Sequence, residues 1–204
     1  MSKEPFHSSH AWKIPNKEKS SIIHNELERQ ICRFLKLGFH TILDQPIEDY
    51  LSSMPQLPQD EFSKSFDKLV IVEPRIPTRL QLMQAGFNYY VQDTIVCQTK
   101  TSKSPYIILL EAGINKVLRE VQAPDENSLT IQEGASLLVA HPEVIDGPPI
   151  ALFGTKIYSL EGRGLQEKLP CTYKWSGGKA GIGSDLLGYL EDDNAQAATC
   201  TRLQ

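Results

Sequence analysis

The chain has 204 residues, 40% of them apolar, and a formal net charge of −4. That length fits one domain with tails, and the apolar share supports a substantial core, which excludes wholesale disorder. Residues 1–110 carry 13 basic and 12 acidic side chains and residues 111–204 carry 8 and 13, so neither half has the basic excess that binding along a nucleic-acid backbone requires.

The first twenty residues, "MSKEPFHSSHAWKIPNKEKS", are polar and lysine-bearing with no apolar period, and read as a flexible tail with Trp12 and Ile14 as its candidate anchors in a groove. They lack the apolar core of a secretion signal, and the longest apolar runs, "YIILL" and "SLLVA", fall far short of the roughly 20 residues a membrane span needs. A cytoplasmic protein with no membrane partner is the expectation. Cys32, Cys97, Cys171 and Cys200 are widely separated with no C-x-x-C pair, which argues for reduced thiols and against a structural zinc.

From Ser21 the pattern changes. "SIIHNELERQICRFLKLG" places Ile23, Leu27, Ile31, Phe34 and Leu35 on one helical face, with Ser20 or Ser21 as N-cap and Gly38 as the stop. A shorter helix follows from Asp44 through Tyr50 and Leu51, with Pro46 in its first turn. After the Pro/Ser/Gln-rich connector 52–65, "KLVIVEP" predicts a strand over 68–74. "IPTRLQLMQAGF" predicts a helix beginning at Pro77 or Thr78 and ending at Gly86. "YYVQDTIVC" (89–97) and "YIILLEAG" (106–113) predict two neighbouring strands joined by a polar hairpin loop, with Tyr89 and Tyr90 pointing to opposite faces, one packed and one exposed.

Thr130 and Glu133 form an S/T-x-x-E capping box that predicts a helix start, with Leu137 and Leu138 buried and Pro142 ending the helix near His141. Nine of the 13 glycines lie from 147 onward, and "PIALFGTK", "PCTYKW" and "DLLGYLE" between them predict short strands with tight turns. Helices and strands do not alternate regularly. The prediction is therefore an α+β fold, not a doubly wound parallel sheet: a mostly antiparallel sheet with an N-terminal helix and a helix near 131–140. The domain spans 21–190, with flexible tails at 1–20 and 191–204.

At "LTIQEGASLLVAHPEV", "PIALFGTK" and "LPCTYKWSGG", with "VEPRIPTR" upstream, the chain resembles an uncharacterised bacterial family known as a domain of unknown function. The resemblance covers roughly residues 70–180 through short motifs: a Leu-Thr-x-x-Glu-Gly helix start, a His-Pro-Glu helix end and a Trp-then-Gly segment. In that last segment this chain has fewer aromatic and amide residues than the family. The resemblance implies a bacterial origin and a shared fold, and it brings no reaction and no catalytic residue with it.

The glycines of "KWSGGKAGIGSDLLGY" invite a phosphate-loop reading, which fails. Gly178–Lys179 is followed by Ala180 where a Ser or Thr is required, and the first required glycine falls on Tyr173. A dinucleotide loop beginning at Gly181 and Gly183 fails at Leu186. A plain strand-connecting turn is the preferred reading over an anion cradle.

His141, Glu133 and Glu143 suggest acid–base chemistry, yet Glu133 belongs to the capping box and about 12 Å of helix separates it from His141. The preferred reading sets the His141 imidazolium against the helix dipole and leaves Glu143 solvated. Cys171 is read as packed core and not as a nucleophile, and His7 with His10 offers too few ligands for a metal. Glu73 with Arg75 and Arg79 reads as a surface ion pair in preference to a substrate clamp. No catalytic residue, metal or cofactor is assigned. The binding candidates are His141, Lys174, Trp175, Lys179, Arg75 and Arg79. The expected function is a binding or protein-interaction module with an unknown protein or small-molecule partner. The alternatives are a small hydrolase or transferase with its pocket near His141, Lys174 and the glycine turn, and a small-molecule sensor without turnover.

Overall fold

The apolar stripe of the N-terminal segment forms helix α1, Asn16–Lys36, and buries Ile23, Leu27 and Phe34. The computed structural model describes residues 16–56, 66–91, 94–97, 100–111, 116–117, 126–161, 164–186, 190 and 195–203. Helix α1 begins upstream of the predicted Ser20/Ser21 cap, because Lys17, Glu18 and Lys19 are good helix formers that extend it without any apolar period. Gly38, in the left-handed region at φ 73°, ends α1 and opens the one-turn helix α2, Phe39–Ile42, which the sequence reading did not separate. Pro46 is the cap that precedes α3, Ile47–Ser52, and so lies just before the first turn.

A three-stranded antiparallel sheet comes next, in the order β1 (Phe66–Val72), β4 (Tyr106–Glu111), β11 (Cys200–Leu203). Alternate residues of β1 serve two cores. Leu69 and Ile71 pack with Ile107, Leu109 and Leu203 against Ile23, Leu27, Phe34, Phe39 and Tyr50 of the helical layer. Val70 and Val72, with Ile108 and Leu110, pack instead with Leu137 and Leu138 of α5, Ile131–Ala140. Burial on both faces explains why "KLVIV" and "YIILL" are continuous apolar runs and not alternating ones. Helix α4, Thr78–Gln84, packs on α5 and ends at Gly86.

The second sheet runs in the order β2 (Asn88–Tyr89), β9 (Ala180–Asp185), β8 (Gly164–Lys174), β6 (Ile150–Ala151), β10 (Gln196–Ala197), β5 (Lys116–Val117). Strand β7 (Thr155–Glu161) lies along the first half of β8, and β3 (Thr94–Cys97) pairs with β7. Only the β2–β9 and β6–β10 pairs among the described strands are parallel. The fold is α+β with mostly antiparallel sheets.

Three expectations need correction. Strands β3 and β4 are not a hairpin: β3 pairs with β7, while β4 pairs with β1 and β11. Apolar pattern marks a strand but does not choose its neighbour. Within the expected flexible tail 191–204, the described residues 195–203 are instead built into both sheets, where β10 and β11 bury Ala197, Cys200 and Leu203. Small residues and two- to four-residue strands leave little periodic signal there. Within the expected strand segment "DLLGYLE", Leu190 N–H donates to Leu186 C=O at 3.3 Å, an i→i−4 bond that a strand does not make, and residues 187–189 and 191 lie outside the described residues. Trp12, Ile14 and the His7–His10 pair lie outside the described residues.

The capping box forms as predicted: Thr130 Oγ1 accepts from Glu133 N–H and the Glu133 carboxylate accepts from Thr130 N–H at 2.8 Å. The same carboxylate, 0% exposed, also accepts from Thr130 Oγ1 at 3.0 Å, from Tyr106 OH on β4 at 2.9 Å, and from Arg202 Nε and Nη2 on β11 at 2.6 and 2.8 Å. Arg202 further donates to the carbonyls of Ser128, at 3.0 Å, and Glu126. Burial works against the Arg202 charge, but the hydrogen bonds and charge of Glu133 outweigh it and hold the guanidinium above its ordinary value. Burial, then the Glu133 charge, raises the Tyr106 phenol. Replacing Arg202 with Met leaves a buried carboxylate without its counter-charge. The expected loss is about 3–5 kcal/mol, read from the urea midpoint of Arg202→Met against wild type.

Candidate functional site

Strands β8 and β9 form a hairpin whose turn is the glycine cluster. Trp175 N–H donates to Lys179 C=O at 2.8 Å and Gly178 N–H to Trp175 C=O at 3.2 Å, with Gly177 and Gly178 at φ 96° and 81°. Two consecutive residues of positive φ suit a tight hairpin turn and favour glycine at both. The strand-connecting reading of this segment matches that geometry.

Position in the strand sets direction. Cys171, Tyr173 and Trp175 alternate onto one face, and Thr172 and Lys174 onto the other. On the first face Trp175 lies over Gly183, where an added Cβ would stand 3.1 Å from the indole Cζ2. Tyr90 arrives beside it because β2 pairs in parallel with β9 and Tyr90 N–H donates to Ile182 C=O at 3.0 Å. The Tyr90 and Trp175 rings meet edge to face, 4.8 Å between centroids at 77°, and Tyr173 follows at 5.5 Å and 44°. Tyr173 OH donates to Asp185 Oδ2 at 3.3 Å. The result is a row of three aromatic rings across three strands, with Tyr90 44% exposed at its end. Tyr89 packs against the main core, so the predicted division between the two tyrosines holds.

Beside β8, a depression of about 270 Å³ is lined by Ile145, Gly147, Pro149, Thr172, Tyr173 and Lys174. Lys174 donates to the Asp146 carboxylate at the end of the 3₁₀ turn Pro142–Asp146. Of the predicted candidates, Lys174 lines this depression, while Trp175 lies with the aromatic row on the opposite face. Lys179 is exposed at the tip of the turn.

His141 opens the same 3₁₀ turn but faces elsewhere. Its Nε2 lies 2.9 Å from Leu69 C=O on β1 and 3.6 Å from Glu26 Oε1 on α1, and its Nδ1 lies 3.4 Å from Glu143 Oε1. Burial pulls His141 below its ordinary value, with Lys68 acting the same way, against the Leu69 hydrogen bond and the two carboxylates. The expected imidazolium at the helix end is therefore replaced by a ring whose burial disfavours the charge, and Arg29 Nη2 caps the helix instead by donating to Ala140 C=O at 2.8 Å. Glu143, expected to be solvated, is 61% exposed yet accepts from Lys68 Nζ at 2.9 Å.

Arg75 does form an ion pair, but a largely buried one. Its Nε and Nη2 donate to the two oxygens of Glu73 at 2.7 and 2.6 Å, Glu73 is fully buried, and the guanidinium lies 5.5 Å from the centre of the Tyr50 ring. A bidentate partner explains why the surface reading failed. Arg79 is exposed, and its charge partly counters the burial that raises the Tyr89 phenol. Cys171 is buried in a small cluster with Ala151, Phe153, Leu169 and Ala197, its Sγ 3.9 Å from the Leu169 and Gly183 carbonyl oxygens. Among the described residues, no three His, Cys, Asp or Glu side chains group as metal ligands. No described helix is long and apolar enough to cross a membrane.

The aromatic row was partly legible: Tyr173 and Trp175 at i, i+2 share a strand face. Tyr90, Asp146 and Asp185 were not, because their approach depends on strand pairing and on the 3₁₀ turn. No family model, no curated protein and no solved structure matches the chain.

Strand β2 reaches β9 only because position 181 has no side chain: a Cβ there would stand 1.9 Å from the Asn88 carbonyl oxygen. Gly181→Ala is expected to break this pairing and cost about 2 kcal/mol or more. The Tyr90–Trp175 near-ultraviolet dichroism should fall with it.

Proposed function

We propose that the chain is a bacterial, cytoplasmic protein-interaction module that meets its protein partner through the Tyr90–Trp175–Tyr173 row. The observation that carries this reading is an aromatic row at the surface, ending in a tyrosine 44% exposed, on rigid paired strands. Tyrosine and tryptophan are the side chains that most often anchor protein interfaces, since they offer large contact area at low entropic cost. The Tyr173–Asp185 hydrogen bond supplies polar groups at the border of such a patch. The row is a surface to be covered and not a cage for a cation, because rings at 4.8 Å and 77° already touch. The motifs shared with the bacterial family of unknown function belong to this same proposal.

One observation favours the alternative of a small hydrolase or transferase: His141 has carboxylates at 3.4 and 3.6 Å. Against it, the ring is 9% exposed and its Nε2 is engaged by the Leu69 carbonyl. A sensor would use the depression at Lys174, which lies just below the roughly 300–1,000 Å³ of ordinary ligand pockets.

Tagged protein recovered from its native host distinguishes these readings. The expected result is a stoichiometric partner protein whose retention drops about 30-fold or more with Tyr90→Ala or Trp175→Ala, as for an interface hot spot. The same partner should survive His141→Gln, and all variants are checked for folding by circular dichroism. Retention unaffected by both aromatic substitutions in folded protein overturns the proposal.

A further inference from the structure

We propose that helix α1 is an acid-released guard over the open edge of strand β1. This inference is independent of the aromatic row. Among the described strands, β1 ends its sheet and pairs on one side with β4. On the other side, Gln30 Nε2 donates to Leu69 C=O at 2.7 Å and Gln30 Oε1 accepts from Ile71 N–H at 2.8 Å. One side-chain amide thus supplies the donor and acceptor that a neighbouring strand would supply. An uncovered edge of this kind is a template for pairing with another chain, so covering it has a consequence beyond stability.

The guard is held by a small set of titratable contacts. Glu26 accepts from Arg29 Nε and Nη2 at 2.8 and 2.6 Å and from Gln30 Nε2 at 2.6 Å, which orients the Gln30 amide. Arg29 ties α1 to the Ala140 carbonyl at the end of α5. His141 sits between them. It faces Glu26 from α1, Lys68 from β1 and Glu143 from the 3₁₀ turn, and Arg29 bonds to that same Glu26. Its bond to the Leu69 carbonyl requires the Nε2–H, so the neutral ring has its lone pair on Nδ1, and acid adds the second proton there.

The sign follows from the balance around the ring. The Leu69 carbonyl and two carboxylates favour the cation, while burial and Lys68 disfavour it, and burial prevails. With α1 docked, His141 takes a proton less readily than in the opened state, where its value returns toward the ordinary 6.5. The docked form therefore has its full advantage above that value and loses it as pH falls below. For Glu26, burial is outweighed by hydrogen bonds from Arg29 and Gln30, which hold the carboxyl below its ordinary 4.5. Its contribution is present above 4.5 and is lost only on further acidification. His141 thus acts first, in the mildly acidic range, and Glu26 second.

Hydrogen exchange at about pH 7.5 and about pH 5.5, corrected for intrinsic rates, tests this. At the lower pH, protection of residues 22–36 and of the Ile71 amide should fall by about 5-fold or more, with α5 and the β8–β9 hairpin retaining theirs. His141→Gln keeps a donor toward Leu69 but cannot charge, and should abolish that pH response. A parallel titration of the wild-type His141 ring by NMR should share its midpoint with the loss of protection, which keeps the test decisive if the variant folds poorly. Unchanged protection in wild type, an equal loss across the whole chain, or a response preserved in folded His141→Gln each overturn the proposal.

Discussion

A carboxylate with no exposure is costly unless every oxygen lone pair finds a donor, and Glu133 satisfies that condition with groups from three parts of the chain. Thr130 contributes from the start of α5, Tyr106 from the middle strand of the first sheet, and Arg202 from the last strand. Each of these elements is thereby fixed relative to the others. The segment Glu126–Ser128 is drawn in as well through the Arg202 guanidinium. A local helix cap has become the junction of the architecture, and the two cores on either face of β1 are laid down around it.

The same economy of polar groups governs the edge of that sheet. A buried strand edge with unpaired N–H and C=O groups would be destabilising, and the Gln30 amide and His141 ring occupy those groups. Because the occupants come from α1 and from the end of α5, the helical layer is joined to the sheet by hydrogen bonds as well as by Ile23, Leu27 and Phe34. Hydrophobic burial is insensitive to mild acid, whereas these polar contacts involve titratable partners. The pH response of this interface is thus decided by a minority of its contacts.

On the other side of the molecule, missing side chains matter more than present ones. Gly183 leaves room for the Trp175 indole and Gly181 lets β2 approach closely enough to deliver Tyr90. The late glycines therefore have two roles: Gly177 and Gly178 make the turn, and Gly181 and Gly183 make the surface on which the aromatic rings lie. Reading that cluster as a bend was right for the first pair and silent on the second. Packing against glycine leaves no mark in the pattern of apolar residues.

What the amino-acid sequence by itself determined is local. The α1 stripe, the Thr130–Glu133 box, the strands within "KLVIVEP" and "YIILL", the stop at Gly86 and the α+β class follow from periodicity, capping chemistry and backbone preference over a few neighbouring positions. Tertiary structure alone decided that β4 pairs with β1 and β11, that "TIVC" pairs with β7, and that the C-terminal residues complete both sheets. It also decided that Arg202 belongs to Glu133, Gln30 to the edge of β1, and Tyr90 to Trp175. Such partners lie tens of residues apart, up to 96 for Leu203 and Ile107. Their pairing is selected by shape and by the need to satisfy buried polar groups across the whole chain, and no short window of sequence contains that information.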